Sequence, residues 1–359
     1  MEQVLVGMSG GVDSSVAALL LMEGYAVSGA TMKLFQSEDI CQVEGGKTCC
    51  ALTDAEDARQ VCNRLGIDHH VFNFRDLFYQ EVIGRFSDSY AQGETPNPCI
   101  DCNHFVKFPH LLRRAELLGM AYIATGHYAR RRRDEGSGRH LLLRGLDREK
   151  DQSYVLYAMD QETLSRTLFP LGDKTKEEIR AMAAGHSLIT AEKPDSQDIC
   201  FVPDGDYSAF LAAKMGFSNS PGDILDSTGQ VLGRHKGAFR YTIGQRRGLG
   251  VSAANPLYVI DKDMAKNTVI LGGEHALMTD RFFVREPNWI SIAALEAPLQ
   301  VSVMTRYRDR EGSASLHPLP DGSVEVRLDT PKRAVTPGQA AVFYQGDLVV
   351  GGGVIDGRR

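Results

Sequence analysis

GMSGGVDSS, at residues 7–15, joins a short apolar segment to one with helical spacing. Val4-Leu5-Val6 precedes it and suits a buried strand, and the apolar residues after Ser15 recur at helical intervals until Gly24. The paired glycines let the backbone approach an anion closely, and the first N–H groups of the following helix point toward it. The sequence therefore predicts a phosphate site where strand, turn and helix meet.

Asp13 is a carboxylate in a stretch that favours an anion. We therefore expect it to hold a metal ion or to fix the turn. The stretch contains neither the G-x-x-x-x-G-K-[ST] of a Walker loop nor the G-x-G-x-x-G of a dinucleotide site. A tight turn with serines capping the helix is the alternative interpretation, but the flanking elements are those that a phosphate site needs.

The composition is that of a globular protein with more than one core. A length of 359 residues predicts two or three domains, and 43% apolar with 24% charged residues is typical of a soluble protein. No apolar run could span a membrane and the N-terminus enters a strand at once, so we expect a cytoplasmic protein without a membrane partner. The net charge of −6 does not favour a nucleic-acid partner, although Arg130–Arg133 and Arg246-Arg247 concentrate positive charge.

Helix and strand signals alternate through the first half of the chain. The predicted strands and helices cover Ala26–Lys33, Asp54–Leu65, Ile67–Phe74, Asn103–Leu118 and Ala121–Thr125. This alternation predicts a doubly wound α/β domain, in which ligands bind beyond the carboxyl ends of parallel strands. The loop at Ser9–Ser14, Met32 and the turn Thr125–His127 are then expected to converge on one nucleotide.

The pattern changes beyond about Asp206, where Gly, Pro and Ser punctuate short segments as they do in hairpins. Val324, Val326 and Leu328 alternate with polar residues, as in a half-buried strand. We therefore predict an α/β domain over residues 1–205, a small β-rich linking domain over 206–283 and a C-terminal β-barrel over 284–359.

The seven cysteines lie at positions 41, 49, 50, 62, 99, 102 and 200. An odd number in an apparently cytosolic chain disfavours a disulfide framework and indicates reactive thiols or metal ligands. Cys62 fits a helical core position. For the group of Cys41, Cys49 and Cys50, zinc binding and incidental thiols are both open interpretations.

Two stretches place thiols where they could react. TPNPCIDCN, at 95–103, holds the chain extended with its prolines and predicts a helix that begins near Asn103. A helix N-terminus lowers a thiol pKa, so Cys102 is a candidate nucleophile, with Lys107 and His104 either assisting it or simply solvated. Cys200 ends the polar loop KPDSQDIC at 193–200, and a buried core position is the alternative for it.

A series of motifs follows in a fixed order: SGGVDSS (9–15), TPNPxxxCNxxxKF (95–108), ATGHY (124–128), DQSY (151–154), DSxxICF (195–201) and YTIGQRRGLG (241–250). Together they resemble the tRNA-specific 2-thiouridylase (MnmA/TrmU) family, and the first resembles the PP-loop of ATP pyrophosphatases. The resemblance extends to RYR at 306–308 and PGQ at 337–339, so it covers essentially the whole chain.

The resemblance implies a tRNA-uridine 2-sulfurtransferase that uses ATP and releases AMP and pyrophosphate. Transfer of AMP to the 2-carbonyl oxygen of the wobble uridine would make that oxygen a leaving group. Cys200 would carry a persulfide received from a sulfur-donor protein. Cys102 would then attack it, releasing sulfur or leaving a Cys102–Cys200 disulfide.

The same resemblance implies the binding residues: it assigns ATP to the first domain, and tRNA contacts to the first domain and the barrel. ATP, with Mg²⁺ on its phosphates, would be held by Gly7, Met8, Ser9, Gly10, Gly11, Val12, Asp13, Ser14, Met32 and Gly126. tRNA would contact Asn97, His127, Asp151, Gln152, Ser153, Tyr307, Arg308 and Gln339. Arg308 suits a phosphate and Tyr307 a stacked base, with an exposed strand pair as the alternative. Arg130–Arg133 suits either tRNA or a solvated hairpin.

Cys99 departs from the family pattern, because many relatives carry aspartate there. With Cys102 it forms C-x-x-C, and with Cys200 it completes three thiols that suit an iron–sulfur cluster with an open iron site. Such a cluster would bind sulfide directly, in place of the persulfide route that we favour. A spare thiol or a disulfide partner is the other interpretation of Cys99.

Two further functions compete with thiolation. A PP-loop amidotransferase or ligase acting on another substrate would need neither Cys102 nor Cys200. A non-catalytic module that senses ATP and binds RNA would release no pyrophosphate, and the active-site thiols argue against it.

Overall fold

A computed structural model describes residues 1–35, 51–194, 199–202, 205–217 and 219–357. The chain forms two compact units. The first comprises Met1–Ile83, Pro98–Gly205 and Gly346–Val350, and the second comprises Gly84–Asn97, Asp206–Gln345 and Gly351–Arg359.

A five-stranded parallel sheet in the order β3-β2-β1-β4-β7 forms the first unit's core. The strands of this unit are β1 (Gln3–Gly7), β2 (Ala26–Lys33), β3 (His69–Asn73), β4 (Tyr122–Ala124), the antiparallel hairpin β5 (Ala129–Arg133) and β6 (His140–Arg144), and β7 (Thr167–Leu168). The α-helices up to residue 185 are α1 (Val12–Leu21), α2 (Ala51–Leu65), α3 (Arg75–Phe78), α4 (Arg85–Ala91), α5 (Pro98–Asp101), α6 (Phe108–Leu117), α7 (Gln161–Ser165) and α8 (Lys176–Gly185). Shorter helical turns are the π-helical Tyr79–Gly84 and Cys102–Lys107 and the 3₁₀ turn Ser153–Leu156.

Helices cover both faces of this sheet. Val4 and Val6 point to one face and pack in a buried cluster with α1, α2 and α8, where Cys62 is fully buried as predicted. Gly7 points to the other face, where a Cβ on it would lie 3.4 Å from Leu111 of α6. These contacts confirm the predicted α/β architecture.

The order of the strands places the predicted nucleotide loop at a switch point. β1 pairs in parallel with β2 on one side and with β4 on the other. Loops that leave the carboxyl ends of β1 and β4 therefore start side by side, which is where open α/β sheets bind ligands. These loops carry GMSGG and TGHY.

The second unit contains a four-stranded sheet, in the order β10-β11-β8-β9, and a six-stranded barrel. The barrel strands follow the order β12-β15-β14-β13-β16-β17, and β12 pairs with β17 to close it. The bounds are α9 (Tyr207–Lys214), β8 (Gly222–Asp226), β9 (Val231–His235), 3₁₀ turns at Ala238–Arg240 and Glu274–Leu277, β10 (Tyr258–Asp263), β11 (Thr268–Gly272), β12 (Met278–Trp289), β13 (Leu299–Met304), β14 (Gly312–Pro318), β15 (Val324–Arg333), β16 (Ala340–Gln345) and β17 (Leu348–Asp356).

The barrel confirms the predicted strand, since Val324, Val326 and Leu328 are all buried, although Glu325 between them is buried as well. The sequence did not indicate that residues 84–97 belong to this unit. Glu94 forms an ion pair with Arg285 (2.8 Å), and the Thr95 N–H donates to the Pro337 carbonyl (2.9 Å). These contacts hold the segment against the barrel. Among the residues described, no helix is long and apolar enough to cross a membrane.

Candidate active site

Short-range hydrogen bonds shape the loop between β1 and α1. The Ser9 N–H donates to Ser14 Oγ (3.2 Å), while the hydroxyls of Ser14 and Ser15 donate to the Gly11 carbonyl (3.1 and 2.8 Å). Gly10 has a φ of 72°, and a Cβ on it would lie 2.2 Å from the Asp54 carbonyl oxygen, so only glycine fits. Gly11 is the N-cap of α1 and offers no side-chain cap, which suits the first-turn N–H groups to an anion.

Asp13 is bound on two sides within the first unit. Lys176 Nζ lies 2.8 Å from each of its carboxylate oxygens, and the Tyr128 hydroxyl donates to Oδ1 (2.8 Å). A Cβ on Gly126 would lie 2.8 Å from Asp13 C and from Ser14 N, so the turn after β4 packs directly on the start of α1. Of the two roles expected for Asp13, these contacts belong to the one that fixes the turn.

The end of β2 completes this edge of the sheet. The Met8 N–H donates to the Ala30 carbonyl (2.8 Å), and Thr31 Oγ1 donates to the Met8 carbonyl (2.9 Å). Met32 follows, half-buried. The structure thus gathers the residues predicted to bind ATP at the carboxyl ends of β1, β2 and β4.

The helix that bears Cys99 and Cys102 begins earlier than predicted. It runs over residues 98–117, so the predicted start near Asn103 was wrong. Pro98 occupies the first helical position, where its missing N–H leaves no hydrogen bond unmade. The segment Cys102–Lys107 is π-helical, a widened turn that is often found at functional sites.

Burial raises the pKa of all three candidate thiols. Cys102 is buried, whereas Cys99 and Cys200 keep exposed surface although the surrounding protein still desolvates their sulfurs. Desolvation, followed by repulsion from Cys102 and Cys99, raises the pKa of Cys200 to about 12. The predicted lowering of the Cys102 pKa was therefore wrong, because this thiol lies in a buried π-helical turn.

Lys107 acts against that burial. Its positive charge lowers the pKa of Cys99, Cys102 and Cys200 alike. The ammonium and the three sulfurs therefore lie within electrostatic range of one another, although Cys200 is distant in sequence. All three are thiols in this structure.

His127 is a neutral group whose pKa, like those of the three thiols, is lowered by Lys107. Its Nδ1 shares a hydrogen bond with Thr125 Oγ1 (2.8 Å), and its ring centroid lies 5.7 Å from that of Phe108. Burial, with a smaller contribution from Lys107, lowers its pKa to about 3. His127 can therefore offer hydrogen bonds at neutral pH, but not positive charge.

The Asp151-Gln152-Ser153 segment supports the loop that carries His127. The Asp151 carboxylate accepts hydrogen bonds from the Gly145 N–H (2.9 Å) and from the Ser153 hydroxyl (2.9 Å), and it faces Arg144 at 3.3 Å. Gln152 Oε1 accepts from the Tyr128 N–H (3.0 Å). Ser153 is fully buried. All three residues make internal contacts here, and their contact with tRNA stays a prediction.

The other residues predicted to contact tRNA belong to the second unit. Arg308 is exposed with a φ of 61°, and its guanidinium lies 5.4 Å from the Tyr307 ring centroid. Gln339 Nε2 donates to the Thr95 carbonyl (2.6 Å), close in sequence to Asn97, which is also in this unit.

The arginine run at 130–133 forms β5 of the hairpin. Arg130 pairs with Asp347 (2.6 Å), and Arg131 donates to the carbonyls of Leu164 and Ser165. Arg132 and Arg133 are exposed. The run thus divides into two cations with internal partners and two that face solvent.

The metal hypotheses receive no support from the part of the chain that the structure describes, where no three His, Cys, Asp or Glu side chains are grouped as ligands for a metal ion. An iron–sulfur cluster on Cys99, Cys102 and Cys200 therefore stays a prediction. Cys41, Cys49 and Cys50 lie outside the described residues.

Two lysines that contact the loop between β1 and α1, or the start of α1, were missed at the level of sequence. Lys176 binds Asp13, and Lys193 Nζ donates to the Gly10 carbonyl (2.9 Å). Lys193 opens the KPDSQDIC stretch and could have been found there. Lys176 follows a capping box at Thr175, which indicates a helix start and nothing about the loop.

Models of three protein families match the chain in succession. They are the tRNA methyl transferase HUP domain over residues 2–204, the tRNA methyl transferase PRC-barrel domain over 208–273 and the aminomethyltransferase beta-barrel domain over 279–355. The first alone covers more than half of the chain.

Similar proteins match over nearly the full length. The tRNA-specific 2-thiouridylase MnmA of Acetivibrio thermocellus is 49% identical over 357 residues, which are 99% of each chain. Its namesake in Heliobacterium modesticaldum is 51% identical over 357 residues, covering 99% of this chain and 92% of the relative. The protein of that name in Clostridioides difficile is 45% identical over 356 residues, or 99% of this chain and 98% of the relative. On this identity and coverage, the chain belongs to the tRNA-specific 2-thiouridylase family.

Proposed function

We propose that this protein is a tRNA-uridine 2-sulfurtransferase, which uses ATP and replaces the C2 oxygen of the wobble uridine with sulfur. The observation that carries the proposal is the presence, in one compact unit, of a strand–loop–helix turn suited to an anion and of three thiols whose pKa values Lys107 lowers. The names of the relatives support tRNA as the substrate.

ATP would serve to activate the uridine. The loop over residues 8–11 would hold its phosphates through backbone N–H groups, and Mg²⁺ would accompany them to offset their charge. The chain's own contribution is a loop whose shape is held by Asp13, Lys176 and Gly126. Attack of the C2 oxygen on the α-phosphate releases pyrophosphate and converts a poor leaving group into AMP.

Two cysteines would then carry the sulfur. A sulfur-donor protein would leave the persulfide Cys200–S–SH. The Cys102 thiolate attacks the Cys200 sulfur, which forms the Cys102–Cys200 disulfide and releases hydrosulfide. Hydrosulfide attacks C2 of the adenylated uridine, and AMP departs with the oxygen. The two thiols supply the electrons that reduce the sulfane sulfur to sulfide.

The raised pKa values of the thiols mean that the site must help Cys102 to lose its proton. Because burial keeps these thiols protonated at neutral pH, a proton must leave before Cys102 can react, and Lys107 favours that loss. His127 is too weak a base to take this proton, so we assign it a hydrogen bond to the substrate. Residues 1–205 would form the catalytic domain, and Tyr307 and Arg308 of the barrel would contact tRNA.

The test is 2-thiouridine formation by the purified full-length protein. The protein is mixed with unmodified tRNA, Mg·ATP and a sulfur-donor protein that carries a persulfide. The nucleosides of the tRNA are then analysed by mass spectrometry. Cys200→Ser is expected to lose at least about 1,000-fold of thiolation while pyrophosphate release continues. Cys62→Ala, which removes a buried core thiol, is the matched control and is expected to retain thiolation. Full activity of Cys200→Ser, or nitrogen incorporation in place of sulfur, would contradict the proposal.

A further inference from the structure

The segment that leads to Cys200 is attached to the nucleotide loop at two points. Thr190 Oγ1 donates to Ser15 Oγ (3.0 Å), and Ser15 Oγ donates to the Gly11 carbonyl (2.8 Å). Lys193 Nζ donates to the Gly10 carbonyl (2.9 Å). Thr190 and Ser15 are almost completely buried, so the first connection is shielded from water. Both connections end on main-chain carbonyls of the loop itself.

Lys193 also joins the loop to α2. Its ammonium lies 2.6 Å from Asp54 Oδ1 and 2.7 Å from Asp57 Oδ2. Asp54 itself packs on the loop, since a Cβ on Gly10 would lie 2.2 Å from its carbonyl oxygen. The Lys193 ammonium therefore links its own segment to both the loop and the start of α2.

The main chain of the same segment is held from the other side. Arg180 of α8 donates through Nη1 to the carbonyls of Ala191 (3.0 Å) and Lys193 (3.3 Å). Residues 190–193 are therefore fixed by side-chain and main-chain contacts, and Cys200 follows seven positions later in the sequence.

Lys193 also offsets the negative charge of two carboxylates beside the loop. Asp54 and Asp57 place two carboxylates beside a loop suited to polyphosphate, and like charges in a part-buried site repel strongly. Burial disfavours the ammonium, but its hydrogen bonds with these carboxylates outweigh that effect and raise the pKa of Lys193. The lysine thus remains charged at neutral pH and offsets part of the negative charge.

We propose that Lys193 is a positioning residue for thiolation with two roles. It lowers the electrostatic cost of binding ATP at the loop between β1 and α1, and it fixes residues 190–193, from which the chain leads to Cys200. The inference rests on the proposed function for its link to sulfur transfer. Its two parts, nucleotide binding and the placing of Cys200, can be measured without tRNA.

The first experiment measures binding of a magnesium complex of a non-hydrolysable ATP analogue to the full-length protein by calorimetry. Lys193→Met is expected to raise the Kd about 10- to 100-fold, the range for loss of a hydrogen-bonded charge. Lys193→Arg keeps the positive charge and should retain more of the affinity than Lys193→Met. Adding Asp54→Asn and Asp57→Asn to Lys193→Met recovers most of the lost affinity, which a merely structural role would not produce. An unchanged Kd for Lys193→Met overturns this part.

Asp57→Asn keeps the inference testable if Lys193→Met does not fold. Removing one carboxylate while Lys193 stays leaves the loop less negative, so nucleotide binding should equal or exceed that of wild type. Weaker binding by this variant contradicts the electrostatic role.

The second experiment follows Cys200 directly. Alkylation by iodoacetamide is measured peptide by peptide, with Cys99 as the internal reference. Lys193→Met is expected to change the rate at Cys200 relative to Cys99 by at least about threefold, whereas Lys193→Arg leaves the ratio near that of wild type. If Lys193→Met leaves the ratio of the alkylation rates at Cys200 and Cys99 unchanged, Lys193 does not position Cys200. If wild type binds nucleotide but forms no 2-thiouridine, the proposed function fails while both measurements on Lys193 still stand.

Discussion

The nucleotide loop and the thiol group lie in the same compact unit but are prepared for chemistry in opposite ways. The loop is held in shape before any ligand arrives, with Asp13 bound by Lys176 and Tyr128 and Gly10 bound by Lys193. The thiols are held in their unreactive form, because burial raises the pKa of each. The difference indicates that the predicted ATP site is preorganised, whereas the thiols must lose a proton before they can react.

The largest effect should follow from disturbing the loop's backbone. A Cβ on Gly126 would lie 2.8 Å from Asp13 C and Ser14 N, both main-chain atoms, so Gly126→Ala must displace the start of α1. We expect at least about a 100-fold loss of pyrophosphate release, since small displacements of a positioned substrate are costly.

Gly185→Ala is the matched control for that substitution. Gly185 ends α8, and a Cβ there meets nothing within 4 Å. Wild-type pyrophosphate release and a gain of roughly 0.4–1 kcal/mol in the free energy of unfolding are expected, from a less flexible unfolded chain. Equal activity of Gly126→Ala and Gly185→Ala would mean that the loop is less rigid than we infer.

A smaller, graded effect should follow from removing the partners of Asp13. Lys176 is 10% exposed and Asp13 33%, so Lys176→Met leaves a part-buried carboxylate without its cation and should lower the free energy of unfolding by about 1–3 kcal/mol. Tyr128→Phe removes one hydrogen bond and should cost about 1 kcal/mol. For both variants, chemical denaturation gives the free energy of unfolding, and steady-state kinetics give the KM for ATP. The reverse order of the two variants would show that Lys176 does not hold the loop.

The reactivity of the thiols should depend on pH. Because the pKa of Cys200 is raised to about 12, its alkylation rate should keep rising about tenfold per pH unit up to at least about pH 10. Lys107→Met removes the charge that favours thiolate and should slow alkylation of Cys102 at a fixed pH. Lys150→Met, a lysine outside the thiol group, is the control. A plateau near neutral pH would show that the thiols are already activated.

His127 should show no change in its protonation near neutral pH. Burial lowers its pKa from 6.5 to about 3, so the folded protein disfavours the proton that the unfolded chain accepts. The neutral His127 therefore contributes to the free energy of unfolding. This contribution is fully present above about pH 6.5 and is lost as the pH falls toward 3. The NMR resonance of the His127 ring should therefore not titrate between about pH 5 and pH 8. A midpoint near 6.5 would show that the His127 imidazole can carry charge at neutral pH, which would contradict the role we assign to it.

The sequence predicted best what local spacing encodes. The strand Ala26–Lys33 has the predicted bounds, and the parallel sheet follows from the alternation of helices and strands. The helix start at Pro98 was missed because a proline that extends a chain and one that opens a helix are the same residue in sequence. The direction of the Cys102 pKa followed that error, since burial depends on tertiary packing.

Contacts between distant residues could not be predicted from the sequence. Lys176 meets Asp13 across 163 positions and Lys193 meets Gly10 across 183, and no periodic pattern encodes either distance. The placement of residues 84–97 in the second unit depends on ion pairing of the same kind, between Glu94 and Arg285. The predicted domain bounds and the site roles drawn from the family resemblance remain predictions.

The claim on which the account depends is that Cys102 and Cys200 act together on one sulfur atom. Protein whose Cys200 has been loaded with sulfane sulfur by polysulfide is desalted and mixed with Mg·ATP and unmodified tRNA without reductant, for a single turnover. Mass spectrometry then counts 2-thiouridine and maps disulfides. We predict one Cys102–Cys200 disulfide for each 2-thiouridine formed. Thiouridine formed while both cysteines remain thiols would contradict the account.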